Sequence, residues 1–204
     1  MATDPRYLYV FAHGAGAGMN HPFMTHASQT LGDHGVATHR YDFPYMKAGK
    51  SRPDSPAVAQ AAVRAAVREA GRMTPGLPLL AGGKSFGARM TSQAQATEPL
   101  PGVRGLVFFG FPLHPPGKPG VERAEHLASV EIPMLFLQGT RDEFATLDLL
   151  RGVVDRLGRG SRATLHLIEE GDHSFKVPKR TGKTERDVME ELATTIREWA
   201  DNIG

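Results

Sequence analysis

The 204-residue chain contains no cysteine. This excludes disulfides, a thiolate nucleophile and any thiolate-bound metal. It also lacks an apolar run long enough to span a bilayer, so no membrane association is expected. The start of the sequence, Met1-Ala-Thr-Asp-Pro-Arg6, has no basic segment leading into an apolar one, and a cytoplasmic protein is the expectation. There is no block of single-sign charge. The formal net charge is +2, and charged residues, 23% of the chain, are interspersed. Nucleic acid is therefore not an expected partner. No His/Asp/Glu cluster has ligand spacing, so neither a metal nor a cofactor is expected. Internal repeats and a composition break are also missing, and residues 1–204 read as one domain with volume for a single core. A small soluble substrate, and a monomer or small homo-oligomer, fit this profile.

Two nucleotide-binding patterns fail. Gly83-Lys84-Ser85 and Gly182-Lys183-Thr184 resemble the end of a phosphate-binding loop, but the glycine required five positions before each Gly-Lys pair is Pro78 or Val177. The run His13-Gly14-Ala15-Gly16-Ala17-Gly18 does not complete Gly-x-Gly-x-x-Gly, because the closing positions are Met19 and His21.

What is present is a chain of short apolar segments alternating with helical periodicity. Strands are expected at Tyr7–Ala12, Val36–Tyr41, Leu77–Ala81, Val103–Phe109, Pro133–Gln138 and Ala163–Ile168. Helical spacing falls between them: about 22–34, 56–71 after a Ser55-Pro56 start, 85–96, a short piece at 122–128, 146–157, and a last helix opened by Thr184-x-x-Asp187, a capping-box variant. Residues 42–54 read as loop. The strands read as apolar throughout, as in a parallel sheet covered on both faces. The expected fold is α/β, a mostly parallel sheet of about six strands with helices on both faces.

Leu79 to Ala88 carries the most specific signal. Its apolar segment runs into Gly83-Lys84-Ser85-Phe86-Gly87 and then a helix, the pattern of a nucleophile elbow. A serine at such an apex is backbone-strained and needs small neighbours, hence the two glycines. In an open parallel sheet, functional groups collect beyond the carboxyl ends of the strands. Here those ends carry the His13 glycine loop, Ser85, Asp142 and His173, and the order Ser, Asp, His is that of an α/β-hydrolase triad. Ser85 would be the nucleophile, His173 its general base and then acid, and Asp142 the group that orients the ring. The amides of Phe86 and Ala15 are the expected oxyanion donors. Glu143 is a substitute acid. Asp172 would have to fold back on its neighbour. His13 reads as a brace for its loop, and His166 as a packed or surface residue. His114, in the proline-rich loop 110–120, and Arg89, four residues after Ser85, are candidate substrate contacts. Lys84, Arg89, Lys118 and Arg141 are cations near the site, read as solvated.

Taken together, His13-Gly-Ala-Gly, Gly82-Gly-Lys-Ser-Phe-Gly-Ala-Arg89, Phe111-Pro-Leu-His-Pro-Pro-Gly117, Gly139-Thr-Arg-Asp142 and Gly171-Asp-His-Ser-Phe175 resemble a small α/β-hydrolase-like family. That family is shared by bacterial proteins and a testis-expressed animal protein and is related to the dienelactone hydrolases. The resemblance covers nearly the whole chain and implies the α/β-hydrolase fold with the same triad. Dienelactone hydrolases use a cysteine nucleophile, which this chain lacks, so their substrate is not carried over. The expected activity is hydrolysis of a carboxylic ester or thioester through an acyl-enzyme. Some members of the family act as interaction domains, so a binding or scaffold module is the alternative. The segment Gly110–Pro133 is too short for a large cap, so an open site is expected.

Overall fold

The computed structural model describes residues 4–158 and 162–203, so the first three residues of the N-terminal stretch discussed above lie outside it. The apolar segments form strands β1 (Tyr7–Ala12), β2 (Val36–Tyr41), β3 (Leu79–Lys84), β4 (Val103–Phe109), β5 (Met134–Gly139) and β6 (Ala163–Ile168). They make one sheet of order β2-β1-β3-β4-β5-β6, and all five neighbouring pairs are parallel. β1, β3, β4 and β5 are interior and almost wholly buried. β2 and β6 are the edges and only partly buried, which corrects the expectation that every strand is apolar throughout. An edge strand has one open flank, and that flank tolerates Thr38, His39 and Arg40 in β2.

The helices are α1 (Pro22–Asp33), α2 (Pro44–Lys47), α3 (Pro56–Met73), α4 (Phe86–Thr97), α5 (Leu147–Arg156) and α6 (Glu185–Asn202), with 3₁₀ segments at Glu122–Ser129 and Lys179–Thr181. Three helices begin on proline, whose missing N–H would be unpaired at that position anyway. Ser55 stands before α3 but makes no side-chain cap bond, so Pro56 alone carries that start. At α6 the reciprocal cap forms: Asp187 N donates to Thr184 Oγ1 at 3.1 Å and Thr184 N to Asp187 Oδ2 at 2.8 Å. Residues 44–47, expected as loop, make the single turn α2.

Both sheet faces are covered. On one, α1 and α6 bury Met24, Leu31, Leu192 and Ile196 against Tyr9, Phe11, Phe109 and Leu137. On the other, α3, α4 and α5 bury Val63, Val67, Met90, Leu150 and Val153 against Val10, Ala81, Phe108 and Phe136. The chain leaves β1 toward β2 and then crosses back to lay β3 on the other side of β1. The connections after β1 and β3 therefore diverge, and the crevice between them is where an open α/β sheet binds its ligand.

At that crevice the elbow is packed too tightly for side chains. A Cβ on Gly87 would sit 2.5 Å from the Ala12 carbonyl oxygen and 2.7 Å from the His13 carbonyl oxygen. A Cβ on Gly83 would land on the same Ala12 carbonyl. Both obstructions are backbone, so neither can move aside cheaply. We expect Gly87→Ala to lower stability by about 2–4 kcal/mol. Gly32→Ala in α1, where an added Cβ meets nothing within 4 Å, should raise it by about 0.5–1 kcal/mol. Chemical denaturation midpoints of the two variants test the contrast.

Candidate active site

Ser85 follows directly on β3, and its amide still bonds Phe109 O at 3.0 Å as if the strand continued. Its backbone then turns sharply into α4 with φ 51° and ψ −110°, a left-handed φ for a residue with a side chain. Strain at this position is what lifts the hydroxyl clear of the sheet. His173 lies beyond β6 in a loop tied by Asp172. The Asp172 Oδ1 accepts from Ser174 N at 2.8 Å and Lys176 N at 2.9 Å, so this carboxylate shapes the loop and does not turn back to its neighbour.

The structure brings Ser85, His173 and Asp142 together. His173 Nε2 is 2.9 Å from Ser85 Oγ and His173 Nδ1 is 2.7 Å from Asp142 Oδ2. A ring with its proton on Nδ1 satisfies both contacts, donating to the carboxylate and accepting from the hydroxyl. Asp142 is buried and held by two further donors: Gln138 Nε2 on Oδ2, and Phe144 N on Oδ1 at 2.8 Å. Gln138 is itself fixed, its Oε1 accepting from Phe111 N at 2.9 Å. The Phe144 ring lies against His173 with centroids 4.4 Å apart. Sequence reasoning passed over Gln138 and Phe144, because a strand glutamine and a loop phenylalanine carry no motif. Glu143 is exposed and joins none of these contacts.

The glycine loop stands against the elbow: a Cβ on Gly14 would be 3.8 Å from Ser85 Cβ. Its anchors are Gly16 N to Tyr45 Oη at 2.9 Å and Met19 N to Asp42 Oδ1 at 2.7 Å. His13 is fully buried, with Nδ1 on Gly14 O at 2.7 Å and Nε2 accepting from Phe43 N at 3.1 Å, so it braces this loop. Burial depresses its pKa below the usual histidine value. Ala15 lines the cavity beside Ser85, and Phe86 opens α4 with its ring edge-on to Phe43. Among the described residues, no hydrogen bond within the chain occupies either amide.

The structure places the two candidate substrate contacts elsewhere. His114 is buried, its Nδ1 beside Pro115 O at 2.9 Å and its Nε2 accepting from Thr146 N at 2.9 Å, which ties the proline-rich loop to the start of α5. Arg89 faces Arg123 and His126 on the 3₁₀ segment, away from the cavity. A position one turn past Ser85 did not specify which neighbour the side chain meets. Beside Arg89 is a second serine–histidine pair, with Ser92 Oγ 2.8 Å from His126 Nε2. Ser92 is fully buried inside α4 and also bonds the Arg89 carbonyl at 3.0 Å. It has no route to a substrate, and the pair docks the 3₁₀ segment on α4. His166 pairs with Glu191 at 3.1 Å.

A cavity of about 780 Å³ opens beside Ser85 and His173. Phe23, Phe144, Phe175, Met24, Val188 and Met189 supply its apolar walls. Between β4 and β5 only a loop and the 3₁₀ segment occur, so among the described residues no helical cap covers Ser85. Lys84 is only partly exposed: it lines the cavity, and its Nζ donates to His173 O at 2.6 Å. Burial pushes its pKa down to about 8, against the opposing pull of Asp142 and Asp172. Among the described residues no group of three metal-ligating side chains occurs, and no helix is long and apolar enough to cross a membrane.

Fold and site together define an α/β hydrolase. The alpha/beta hydrolase domain family matches residues 5–201, and the chain belongs to it. Similar solved structures include a lidless α/β serine hydrolase from Xanthomonas campestris (20% identity, 97% of this chain and 84% of that one, TM-score 0.73). A dienelactone hydrolase from Anabaena variabilis is also similar (19% identity, 98% and 87%, TM-score 0.72). So is a serine hydrolase homologue from Coxiella burnetii (19% identity, 96% and 85%, TM-score 0.71). At these identities the likeness is one of fold.

The buried histidines make stability depend on acid. Burial, with the Arg89 guanidinium adding to it, holds His126 down at about 4 from an ordinary 6.5. As pH falls below 6.5 the unfolded chain takes up this proton while the folded one does not until about 4, so stability is lost across that window. Urea midpoints measured from neutral pH down to about 4.5 should fall, and His126→Gln, which keeps an N–H donor for Ser92, should flatten part of the decline.

Proposed function

We propose that this chain is a serine hydrolase that cleaves carboxylic esters or thioesters through an acyl-enzyme on Ser85. The observation that carries the reading is the unbroken relay Ser85–His173–Asp142 at 2.9 and 2.7 Å, standing at the switch point of the sheet. His173 Nε2 takes the Ser85 proton as Oγ adds to the substrate carbonyl. The negative charge that develops on the carbonyl oxygen is met by the amides of Ala15 and Phe86, the latter at the positive end of the 12-residue helix α4. Asp142 stabilises the imidazolium, which then gives its proton to the leaving alcohol or thiol as the bond to the acyl carbon breaks. Water, deprotonated by the same nitrogen, releases the acid and restores Ser85.

The aromatic and aliphatic walls of the cavity favour an apolar acyl group of moderate size, and the uncovered mouth admits esters carried on larger molecules. The cysteine-free sequence, with no helix among the described residues able to cross a membrane, fits work in the cytoplasm.

Fluorophosphonate labelling read by peptide mass spectrometry tests this without knowledge of the substrate. Label should fall on Ser85 alone and vanish in Ser85→Ala. In His173→Ala the rate should drop by about 10³-fold or more. A folded wild-type protein that takes no label would overturn the reading.

A further inference from the structure

We propose that Lys84 is a positioning residue of this relay: its ammonium pins the His173 backbone carbonyl and opposes protonation of the His173 ring in the resting protein. The inference rests on the serine-hydrolase reading above. Lys84 is the last residue of β3 and the sequence neighbour of Ser85, yet its side chain reaches under the loop that carries His173. One lysine thus joins the strand that presents the nucleophile to the loop that presents the base.

The geometry is close. Nζ donates to His173 O at 2.6 Å and lies 5.9 and 5.7 Å from the ring centroids of Phe23 and Phe175. A Cβ built on Gly110 would be 3.0 Å from Lys84 Nζ and 3.3 Å from both Cε1 and Nδ1 of His173, so ammonium and imidazole border the same side of that glycine. Among the described residues no carboxylate lies within ion-pair distance of Nζ. Asp142, from the loop after β5, and Asp172, from the loop after β6, are the acids that act on it at longer range. Across the cavity stand His21 and His26 at α1, with Lys176 and Glu185 further along.

A neutral donor could brace the same carbonyl without the desolvation cost of a partly buried ammonium that has no carboxylate beside it. What a cation adds is electrostatic. Placed beside the imidazole it opposes a second positive charge there. In the transition state the new charge on the ring is matched by the oxyanion on the substrate, so the penalty falls mainly on the idle protein. Asp142 and Lys84 then flank His173 as a carboxylate and an ammonium, each offsetting the other's burial.

The test uses the full chain with Lys84→Met, Lys84→Gln and Lys84→Arg. The titration midpoint of the His173 ring is read by ¹⁵N NMR, which needs no turnover, and the fluorophosphonate inactivation rate is followed against pH. In the Met and Gln variants the midpoint should move up by about one pH unit, and inactivation near pH 6 should slow about tenfold relative to pH 8. Arg should hold the wild-type midpoint. Unchanged ring midpoints in both neutral variants would overturn the proposal. If the Met variant does not fold, the Gln variant decides alone. A wild type that takes no probe would sink the hydrolase reading while the NMR titration still decides the role of Lys84.

Discussion

The approach of α4 to β1 is the constraint on which the rest of the site depends. Backbone meets backbone there, with Gly83 and Gly87 lying on the Ala12 carbonyl and leaving no room for a Cβ. Because the helix starts that close to the sheet, the residue between the glycines must turn with φ 51°, and the hydroxyl of Ser85 is thrown outward. The same approach brings the glycine loop after β1 alongside the elbow. Ser85 and the glycine loop are therefore set by one contact. Strain at Ser85 is sustained because the interior strands and both helical layers hold the two ends of the turn.

Around that contact the site is built from groups that would be unfavourable singly. A buried carboxylate, a strained serine and a desolvated ammonium all stand within one crevice. Each is compensated by a specific neighbour: Asp142 by Gln138 and the Phe144 amide, Lys84 by the His173 carbonyl and two aromatic faces. The supports come from β5, from the loops after β5 and β6, and from α1. Rigid scaffold and reactive site are in this sense the same residues read from two sides. His13 shows the same economy away from the chemistry, since a neutral buried ring that both donates and accepts can lock a loop that carries no regular structure.

Much of this was legible in the sequence, and what was missed has physical reasons. β1 and β4 were readable because aromatic and β-branched runs in interior strands have no competing interpretation. β3 was placed too early, at Leu77–Ala81, because Gly82 and Gly83 have no strand propensity of their own. The pairing of Gly82, Gly83 and Lys84 with Val107, Phe108 and Phe109 carries the strand on to Lys84. Chain order and strand ends single out Ser85, Asp142 and His173 together, and the three side chains stand in one hydrogen-bonded row. His114 and Arg89 lacked such a constraint. Proximity in sequence to a site says nothing about side-chain direction: His114 bonds Thr146, and Arg89 lies outside the cavity lining. Lys84 was read as solvated by the base rate for lysine, and only the packing of Phe23 and Phe175 around it shows otherwise. α2 escaped because one turn of helix has no periodicity to detect.

The cavity has a further consequence for how such a lidless fold acquires selectivity. Its walls come from α1, the start of α6 and the loop around Phe175, elements that lie on one face of the sheet and are far apart in sequence. Phe23, Phe109 and Phe175 form one aromatic cluster joining that wall to the sheet, with centroids 5.8 to 6.1 Å apart. The cavity surface is thus an extension of the hydrophobic core, not an added domain. Substitutions at Met24, Val188 or Met189 can reshape the wall without touching the elbow, because the contact that sets the nucleophile lies on β1, β3 and α4. Selectivity and reactivity are in that way mechanically separate. Phe175 and Lys84 are where they meet, since the ring that closes the cavity wall also shields the cation beneath His173.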